Sequence, residues 1–364
     1  MFGEFKFFWI LSSVLLSLLS VTHLYSYIIT LLVLFTDNGR PKMASSSQPP
    51  NSADASIWKL GIFDAHCHPT DDFANIAKIA AMNTRQMVIM TTTTNDIDLV
   101  DQAASIFRDR VIPAFGYHPW FSHLVYVGDE PPKSNWDHYS KVLVPEPTKE
   151  FVDSLPPPVS FAQHLENIKQ MLTKYPTALV GECGLDKAFR LPVKRGEFKE
   201  LSPYKVSLEH QKKILIPQLR LASQYNRPVS MHGVQCHQAL FECVAGLSRQ
   251  PPSICLHSYS GSPDFLNGNW LRSREKRMWV NSKIYVSSSV LINITTPERA
   301  QKLLHSIPAD RILTESDYHS PGLEMDQYNW ESLLAICRVK GWTLQQGARQ
   351  IKRNFMTFTN SEVL

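Results

Sequence analysis

The sequence predicts an α/β protein, a (β/α)8 TIM barrel with loop insertions and an N-terminal hydrophobic segment. Beyond Trp58, eight short apolar runs rich in β-branched residues alternate with segments of helical period. Parallel strands require helical crossovers, and eight such units in one domain most naturally close into a barrel. Polar side chains follow most runs, where a barrel builds its active site. A doubly wound open sheet is the alternative, although no glycine-rich nucleotide-binding motif follows a run.

The composition is that of a globular protein. Of its 364 residues, 43% are hydrophobic and 19% are charged, which excludes a mainly disordered chain, a collagen-like repeat and a coiled coil. The net charge of +4 is too weak to support tight binding of duplex DNA by itself. Six cysteines without a C-x-x-C pair exclude a disulfide scaffold and a zinc knuckle, and they indicate reduced thiols.

The N-terminal stretch from Phe7 to Thr36 contains no Lys, Arg, Asp or Glu. A membrane-spanning helix needs about 20 apolar residues, so this stretch is predicted as a membrane anchor. Arg40 and Lys42 follow it and favour a cytosolic position for the rest of the chain.

A second interpretation stays open, in which translation of the functional form starts at Met43. The residues that follow, 44–56, are rich in Ser and Pro, as in an ordinary soluble N-terminus. The protein would then be cytoplasmic or nuclear and would lack the segment 7–36. We assign 1–57 to the hydrophobic segment and a polar linker, and 58–364 to the barrel.

The predicted strands are the apolar runs at 60–63, 86–90, 111–115, 178–180, 228–231, 253–256, 284–286 and 312–313. Apolar residues at helical spacing predict helices at 96–107, 161–174, 208–225 and 297–305, and a last helix after residue 343. Asn95 and Thr296 are predicted caps, and Thr343 with Gln346 matches a capping box. Pro217 predicts a kink or a break. The Pro-rich stretch 120–159 and the basic stretch 187–205 are predicted as loop insertions.

Candidate metal ligands stand at the carboxyl ends of the apolar runs, which a barrel brings to one face. His66 and His68 alternate along the first strand and so point the same way. The residues at these ends are Asp64, His66, His68, His118, Glu182, His232, His257, Glu315 and Asp317. Imidazoles and carboxylates together suit zinc, manganese and similar divalent cations.

Six of these residues form the predicted metal site, namely His66, His68, Glu182, His232, His257 and Asp317. One tetrahedral ion needs fewer ligands, so we predict two divalent cations (Mg, Mn or Zn) with Glu182 between them. Asp64 is predicted to orient a histidine from outside the ligand set, and Glu315 could do the same. His118 lies on the rim as a candidate substrate contact.

The order of six motifs carries a family resemblance. They are Asp64-Ala-His66-Cys-His68, Gly116-Tyr-His118-Pro119, Gly181-Glu182-Cys-Gly184-Leu-Asp186, Pro228-Val-Ser-Met-His232, His257-Ser-Tyr-Ser-Gly261 and Thr314-Glu315-Ser-Asp317. The chain resembles the TatD-type metal-dependent deoxyribonucleases, within the amidohydrolase-like TIM barrels, and looks closest to their fungal branch. The resemblance covers about residues 59–355.

This resemblance implies that one metal is held by His66, His68 and Asp317. It places His232 and His257 on the other metal and shares Glu182 between the two. It also implies hydrolysis of phosphodiester bonds in DNA, often from the 3′ end. The chain departs from the family where Gly233-Val-Gln235 replaces a usual Arg, and where Tyr318-His319-Ser320 precede a Pro that usually comes earlier.

The predicted mechanism uses Asp317 as the general base for a water whose pKa the metals lower. Two basic stretches are candidate phosphate contacts, although charge runs are commonly just solvated. They are Lys187, Arg190, Lys194, Arg195 and Lys199, and Arg272, Arg274, Lys276, Arg277 and Lys283. Trp120, Tyr117 and Tyr259 are predicted to stack on bases of single-stranded or frayed DNA ends.

Two alternatives stay open beside the nuclease. One is a metal-dependent hydrolase of a small phosphoester, amide or lactone. The other is a catalytically silent barrel that binds a protein partner through the 120–159 insertion, which the complete ligand set disfavours. A monomer is expected.

Overall fold

One sheet of eight parallel strands forms the centre of the molecule. The computed structural model describes residues 52–195, 198–271 and 280–360. The barrel strands, in chain order, are β1 (Phe63–Cys67), β2 (Gln86–Met90), β3 (Val111–Phe115), β4 (Leu179–Asp186), β5 (Val229–Val234), β6 (Ser253–Leu256), β7 (Lys283–Ser288) and β8 (Ile312–Thr314). Each strand pairs in parallel with the next.

The sheet closes where β8 meets β1. The Thr314 hydroxyl donates to the Phe63 carbonyl at 2.6 Å. Just beyond the two strands, the Asp317 N–H donates to the His66 carbonyl at 3.0 Å. The predicted barrel is therefore confirmed, and the open sheet is wrong.

Apolar side chains fill the amino end of the barrel. They are Phe63, Ala65, Val88, Met90, Ile112, Ala114, Leu179, Cys255, Tyr285 and Leu313, together with Phe355 and Phe358 of the last helix. The rings of Phe63 and Phe355 lie 4.8 Å apart. Because this end is plugged, the polar side chains gather at the carboxyl end. All six cysteines are buried and free, as predicted.

Helices surround the barrel and connect its strands. The α-helices are Ser52–Leu60, Ile97–Ile106, Asn135–Val142, Lys149–Asp153, Phe161–Lys174, Leu208–Gln224, His237–Ala245, Pro263–Phe265, Pro297–Ser306, Leu323–Lys340 and Leu344–Thr359. The 3₁₀-helices are Pro69–Ala81, Pro119–Leu124 and Ala309–Arg311, and Leu266–Leu271 forms a π-helix.

Two predicted helix starts are confirmed. The Thr296 side chain accepts a hydrogen bond from the Arg299 N–H, and Thr343 and Gln346 form the capping box. Each cap satisfies backbone N–H groups that have no partner in the first turn of a helix.

Two other helix details are corrected. Asp96, not Asn95, precedes the helix Ile97–Ile106, and its carboxylate turns back to accept from the Thr92 N–H at 2.7 Å. The prediction at Pro217 was a kink or a break, and because the helix Leu208–Gln224 runs through Pro217 there is no break. Buried residues on both sides of the proline hold this helix against the barrel.

The polar linker proves to be partly helical. Ile57 in the helix Ser52–Leu60 is only 4% exposed, and the Trp58 ring stacks on Trp330 at 5.5 Å. The predicted boundary at residue 57 therefore falls inside a helix that packs on the barrel. The predicted anchor 7–36 lies outside the described residues. No helix in the described part of the chain has the length and apolar character to span a membrane.

The two insertions form a joint structure rather than simple loops. The short strand Leu143–Val144 pairs antiparallel with Lys205–Val206, which links one insertion to the other. Two further strand pairs are Val125–Tyr126 with Val159–Ser160 and Pro192–Arg195 with Phe198–Leu201. Their shared core contains Tyr139, Val142, Leu143, Phe151, Val152, Leu191, Tyr204 and Val206. The stretches are insertions between barrel strands, as predicted, but strands this short leave no periodic signal, so their internal structure was not predicted.

Three buried histidines hold this insertion as hydrogen-bond donors. The His138 ring donates to the His123 carbonyl at 2.8 Å, the His210 ring to the Ser122 carbonyl at 2.8 Å, and the His123 ring to the Trp120 carbonyl at 3.1 Å. Burial lowers the pKa of His123 to about 3 and that of His210 to about 4, and it also lowers the pKa of His138.

We expect the free energy of unfolding to fall as the pH drops from 6.5 toward about 4. In this range the unfolded chain binds protons at these histidines that the folded chain does not bind. The His210→Gln variant keeps an N–H donor but does not titrate. Its unfolding free energy should depend less steeply on pH, by up to about 1.4 kcal/mol per pH unit. Urea denaturation across this range measures both slopes, and equal slopes would refute the prediction.

Asp326 is a buried polar anchor between the helix Leu323–Lys340 and the chain before β2. Its carboxylate accepts from the N–H groups of Asn83 and Thr84 at 2.6 and 2.8 Å, and from the Thr84 hydroxyl at 2.7 Å. Asp326 is 3% exposed, so its loss would leave buried donors without a partner.

The Asp326→Ala variant should lower the free energy of unfolding by about 3 kcal/mol, because each buried unpaired donor costs about 1–3 kcal/mol. Asp310→Ala is the matched control. The Asp310 side chain is 61% exposed beside Arg311, so its removal should cost under about 1 kcal/mol. Denaturant titration compares the two, and a similar loss in both would be inconsistent with the anchoring role.

Candidate metal centre

The barrel strands bring the predicted ligands to one buried cluster at their carboxyl ends. β1 continues through His66 to Cys67, and β4 continues through Glu182 to Asp186. Both strands are thus longer than the apolar runs that predicted them. Polar residues ended the predicted runs, but the hydrogen-bonded ladder continues through them because they face a polar interior.

Glu182 stands at the centre of this cluster and is 3% exposed. Its Oε2 lies 3.2 Å from Nε2 of His66 and 3.2 Å from Nε2 of His68. Its Oε1 faces three other imidazoles at 2.8–3.0 Å, those of His118, His232 and His257. The two carboxylate oxygens therefore face two different sets of nitrogen atoms.

Three overlapping groups of ligand atoms meet the distance requirements of a metal site. They are His66 with His68 and Asp317, His66 with Glu182 and His257, and His118 with Glu182 and His232. Within each group the ligand atoms lie within 4.8 Å of one another. The structure thus brings together all six predicted ligands and adds His118 as a seventh donor.

Bound cations explain the arrangement of these nitrogen and oxygen atoms better than hydrogen bonds alone. Five imidazoles surround one carboxylate, and Nε2 of His66 lies 3.1 Å from Nε2 of His68. Two imidazole nitrogens at this distance cannot both donate to each other, whereas both can coordinate an ion. Ser230 fixes the other His66 nitrogen, because its Oγ lies 2.7 Å from Nδ1.

The charges in the cluster oppose one another. Burial disfavours the ionised form of Glu182, but His118, His257 and His66 keep its pKa well below the ordinary value. Burial likewise lowers the pKa of His66 to about 3 and that of His118 to about 4. At His68, burial lowers the pKa of the imidazole, but the hydrogen bond to Glu182 and the negative charge of Glu182 outweigh it and raise this pKa to about 9. The imidazoles around Glu182 therefore favour its ionised form.

Asp317 combines access to solvent with access to the cluster. Its Oδ1 lies 3.6 Å from Nε2 of His68 and 3.8 Å from Nε2 of His66. Its side chain is 16% exposed, against 4% for Glu182. The Asp317 backbone has φ of 51°, a left-handed conformation that few residues other than glycine adopt and that is frequent at functional sites.

Sequence reasoning gave no role to Asp186, the last residue of β4. Its Oδ2 accepts from the His232 Nε2–H at 3.0 Å and from the Trp120 Nε1–H at 2.7 Å. These bonds outweigh burial and lower the pKa of Asp186 to about 2. With Nε2 held by Asp186, His232 presents Nδ1 to Glu182. The signal available was the position of Asp186, four residues after Glu182 at the end of the same motif.

We expect Asp186→Ala to weaken divalent cation binding by about 10–100-fold, because carboxylates that orient metal-bound histidines contribute that much. Asp153→Ala, on the exposed end of the helix Lys149–Asp153, is the control. Isothermal titration with Mn²⁺ measures both variants. An unchanged affinity in Asp186→Ala would show that His232 needs no such support.

Gly184 allows β4 and β5 to approach one another closely at this point. Its φ is 159°, and a Cβ added there would lie 2.0 Å from the His232 carbonyl oxygen. Any side chain would push the two strands apart. The glycine therefore keeps Glu182 and His232 within 3.0 Å.

The two carboxylates predicted to support the ligands have different roles. Within the described part of the chain, no hydrogen bond joins Asp64 to an imidazole side chain. It accepts from the Ser316 N–H at 3.1 Å and from the Asn329 amide at 2.8 Å, and thus braces the chain before Asp317. Glu315 accepts from the Ser258 N–H at 2.8 Å, directly after His257. Asp64 and Glu315 thus bind backbone groups next to the predicted ligands. They position that backbone rather than the imidazole rings of the ligands.

The predicted substrate contacts have mixed outcomes. Tyr259 is 4% exposed and Tyr117 is 2% exposed, so neither ring is open to a base. Trp120 is partly exposed beside His232. Lys283 begins β7 and therefore lies at the opposite end of the barrel. Arg272, Arg274, Lys276 and Arg277 lie outside the described residues, as do the side chains of Lys194, Arg195 and Lys199.

Comparison with known proteins identifies relatives of this barrel. A family model described as TatD related DNase matches residues 63–360. Cut9-interacting protein scn1 of Schizosaccharomyces pombe is 34% identical over 82% of this chain and 98% of its own length. The uncharacterized deoxyribonuclease YMR262W of Saccharomyces cerevisiae is 34% identical over 71% of this chain and 83% of its own length.

Two bacterial proteins extend the comparison. The 3′-5′ ssDNA/RNA exonuclease TatD of Escherichia coli is 25% identical over 42% of this chain and 50% of its own length. The crystal structure of YJJV, a TatD homolog from the same organism, superposes with a TM-score of 0.55. It covers 83% of this chain and 98% of that chain at 18% identity, which confirms the fold. The chain therefore belongs to the family of TatD-related deoxyribonucleases, which are hydrolases that act on ester bonds.

Proposed function

We propose that this metal-dependent deoxyribonuclease removes nucleotides from the 3′ ends of single-stranded or frayed DNA, with Glu182 shared between two divalent cations. The observation that carries the proposal is the division of the Glu182 oxygens. One faces His66 and His68, and the other faces His118, His232 and His257. Such a carboxylate suits two adjacent cations, the arrangement of many phosphodiester hydrolases.

The predicted ligands form two sets, and one carboxylate also has a role in proton transfer. His66, His68 and Asp317 would hold one cation, and His232 and His257 the other, with His118 close enough to join the second set. Mg, Mn or Zn bound there would lower the pKa of a bound water and offset the charge of the phosphate. Asp317, the most exposed carboxylate of the cluster, is placed to accept the proton of the attacking water.

The residues around the site favour single-stranded DNA ends over a DNA duplex. The net charge of +4 gives little support for gripping a duplex, whereas Trp120 and the exposed Lys187 and Arg190 lie by the end of β4. The Escherichia coli relative is named for 3′-5′ activity on single strands. His118 contacts Glu182 directly, so we assign it to the metal cluster in preference to the substrate.

The test uses the protein expressed from Met43, stripped of metal with EDTA and then supplied with Mg²⁺, Mn²⁺ or Zn²⁺ in turn. Single-stranded DNA labelled at the 5′ end should be shortened stepwise from its 3′ end only when a cation is present. A small phosphodiester and an amide serve as competing substrates. Faster turnover of the small compounds than of DNA would favour the alternative hydrolase, and cleavage without cations would exclude the mechanism.

The joint insertion supports a second proposal, that of a binding surface for a protein partner. The Schizosaccharomyces pombe relative is named for an interaction with Cut9. The insertions expose Val127, Trp136, Val144, Val159 and Leu201, each at least 41% accessible. Trp136→Ser should therefore weaken binding of a Cut9 homologue in a two-protein assay, and undiminished binding would exclude this surface. A monomeric state stays a prediction.

A further inference from the structure

The rim of the metal cluster carries an aromatic pair that the core does not explain. Trp120 comes from the first insertion and Phe189 from the second, and their rings stack at 4.6 Å with planes 12° apart. Both residues are partly exposed. Neither belongs to the hydrophobic clusters of the described chain, so core packing does not account for the pair.

One carboxylate ties this pair to the metal ligands. The Oδ2 of Asp186 binds the Trp120 Nε1–H at 2.7 Å and the His232 ring at 3.0 Å. Its Oδ1 accepts from the N–H groups of Ala188 and Phe189 at 2.7 and 2.9 Å. The Trp120 ring and the Phe189 backbone are therefore held in place relative to His232.

The pair lies close to the site of hydrolysis. Trp120 packs edge-on against His118, with ring centroids 4.8 Å apart, and its ring centre is 6.0 Å from that of His232. Phe189 stacks on Trp120 and is itself partly exposed, so its ring offers a surface on which a planar group from outside could continue the stack.

Charge near the pair favours an anionic planar ligand. Lys187 and Arg190 flank the Phe189 loop and are exposed, and Lys205 steadies this loop by donating to the Lys187 carbonyl at 3.1 Å. Aromatic rings with adjacent cations are the usual means by which proteins bind single-stranded nucleic acid without reading its sequence.

From this arrangement we propose that Trp120 and Phe189 form a stacking platform for the base next to the hydrolysed phosphodiester. The inference rests on the proposed nuclease function and deepens it. The ligand is a nucleobase at an unpaired strand end, and Asp186 is the positioning residue that holds the platform beside the metal cluster. The platform gives a preference for ends that carry a base over ends that lack one, whatever the base.

The test compares two single-stranded oligonucleotides, one with a normal 3′-terminal nucleotide and one with a tetrahydrofuran residue that lacks the base. Equilibrium binding of the metal-loaded protein is measured by fluorescence anisotropy on versions with cleavage-resistant terminal linkages, and kcat/KM is measured on cleavable versions. The wild-type protein should bind the base-bearing end about tenfold more tightly, the effect of stacking one base.

Phe189→Leu should reduce this preference to about twofold or less. Trp120→Phe retains a ring but loses the bond to Asp186, and it should give an intermediate preference. Phe107→Leu is the matched control, because Phe107 is also partly buried but follows the helix Ile97–Ile106 before β3, at the amino end of the barrel. The control should keep the full preference.

Other outcomes distinguish the stacking platform from the proposed nuclease function. If Phe189→Leu weakens binding of both oligonucleotides equally, the pair only fastens the insertions together and the platform is excluded. If the wild-type protein shows no preference, the platform is excluded even when DNA is cleaved. If the preference holds in binding but no DNA is cleaved, the nuclease proposal fails and the platform stands.

Discussion

Replacing Glu182 with Gln is expected to lower kcat/KM on single-stranded DNA by about three orders of magnitude. We expect the wild-type protein to bind two equivalents of Mn²⁺ and the variant to bind about one. Gln keeps the size of Glu182 but supplies one oxygen instead of two and removes the negative charge that faces five imidazoles. Without that charge, two adjacent cations would repel one another, so the second should bind weakly.

The control for this change is Glu166→Gln, which alters the same side chain at a position 51% exposed on the helix Phe161–Lys174. Its activity and metal content should match the wild-type protein. A Glu182→Gln variant that holds two cations would contradict the bridging role, and one that retains full activity would contradict the assignment of this cluster as the active site.

Asp317→Asn should lower kcat by about 10²–10⁴-fold, the usual contribution of a general base, with most of the metal still bound. Asn retains an oxygen that can reach a cation, but it cannot accept a proton at neutral pH. Because the side chain of Asp317 is 16% exposed, the change should not disturb the buried part of the cluster. Steady-state kinetics and metal analysis on the same sample separate chemistry from binding.

Asp310→Asn is the matched control, at a side chain 61% exposed on the preceding turn. Full turnover by Asp317→Asn would refute the general-base assignment. Loss of activity in parallel with loss of metal would instead make Asp317 a ligand only.

The barrel and the clustering of the six candidate metal ligands could be predicted because two simple patterns reinforce one another. Buried parallel strands appear in a sequence as apolar runs. A barrel brings the residues that follow these runs to one face. His66 and Glu182 were identified although both lie within strands rather than after them. The prediction depended on the order of the apolar runs and the polar residues along the chain. Small errors in the predicted strand ends therefore did not alter it.

Contacts between distant parts of the chain could not be predicted. Asp186 acts through Trp120, 66 residues away, and His232, 46 residues away, and no local pattern reports such a bond. Tyr259 looked available for stacking, but its hydroxyl donates to the nearby Ser262 carbonyl and its ring is buried. Aromatic residues look alike in sequence whether they face solvent or core.

The joint insertion was missed for a related reason. Leu143–Val144 and Lys205–Val206 pair across some sixty residues of chain, and each strand is too short to show an alternating pattern. His138 and His210 stabilise this unit through bonds to backbone carbonyls. In sequence, these histidines cannot be distinguished from metal ligands without the fold.

The central claim is that Glu182 joins two cations at the carboxyl end of the barrel. Anomalous diffraction at the manganese edge, from crystals of the protein loaded with Mn²⁺, tests it most directly. We expect two peaks, one beside His66, His68 and Asp317 and one beside His232 and His257, with a Glu182 oxygen next to each. A map without a peak at Glu182, from protein that cleaves DNA under the same conditions, would contradict the account.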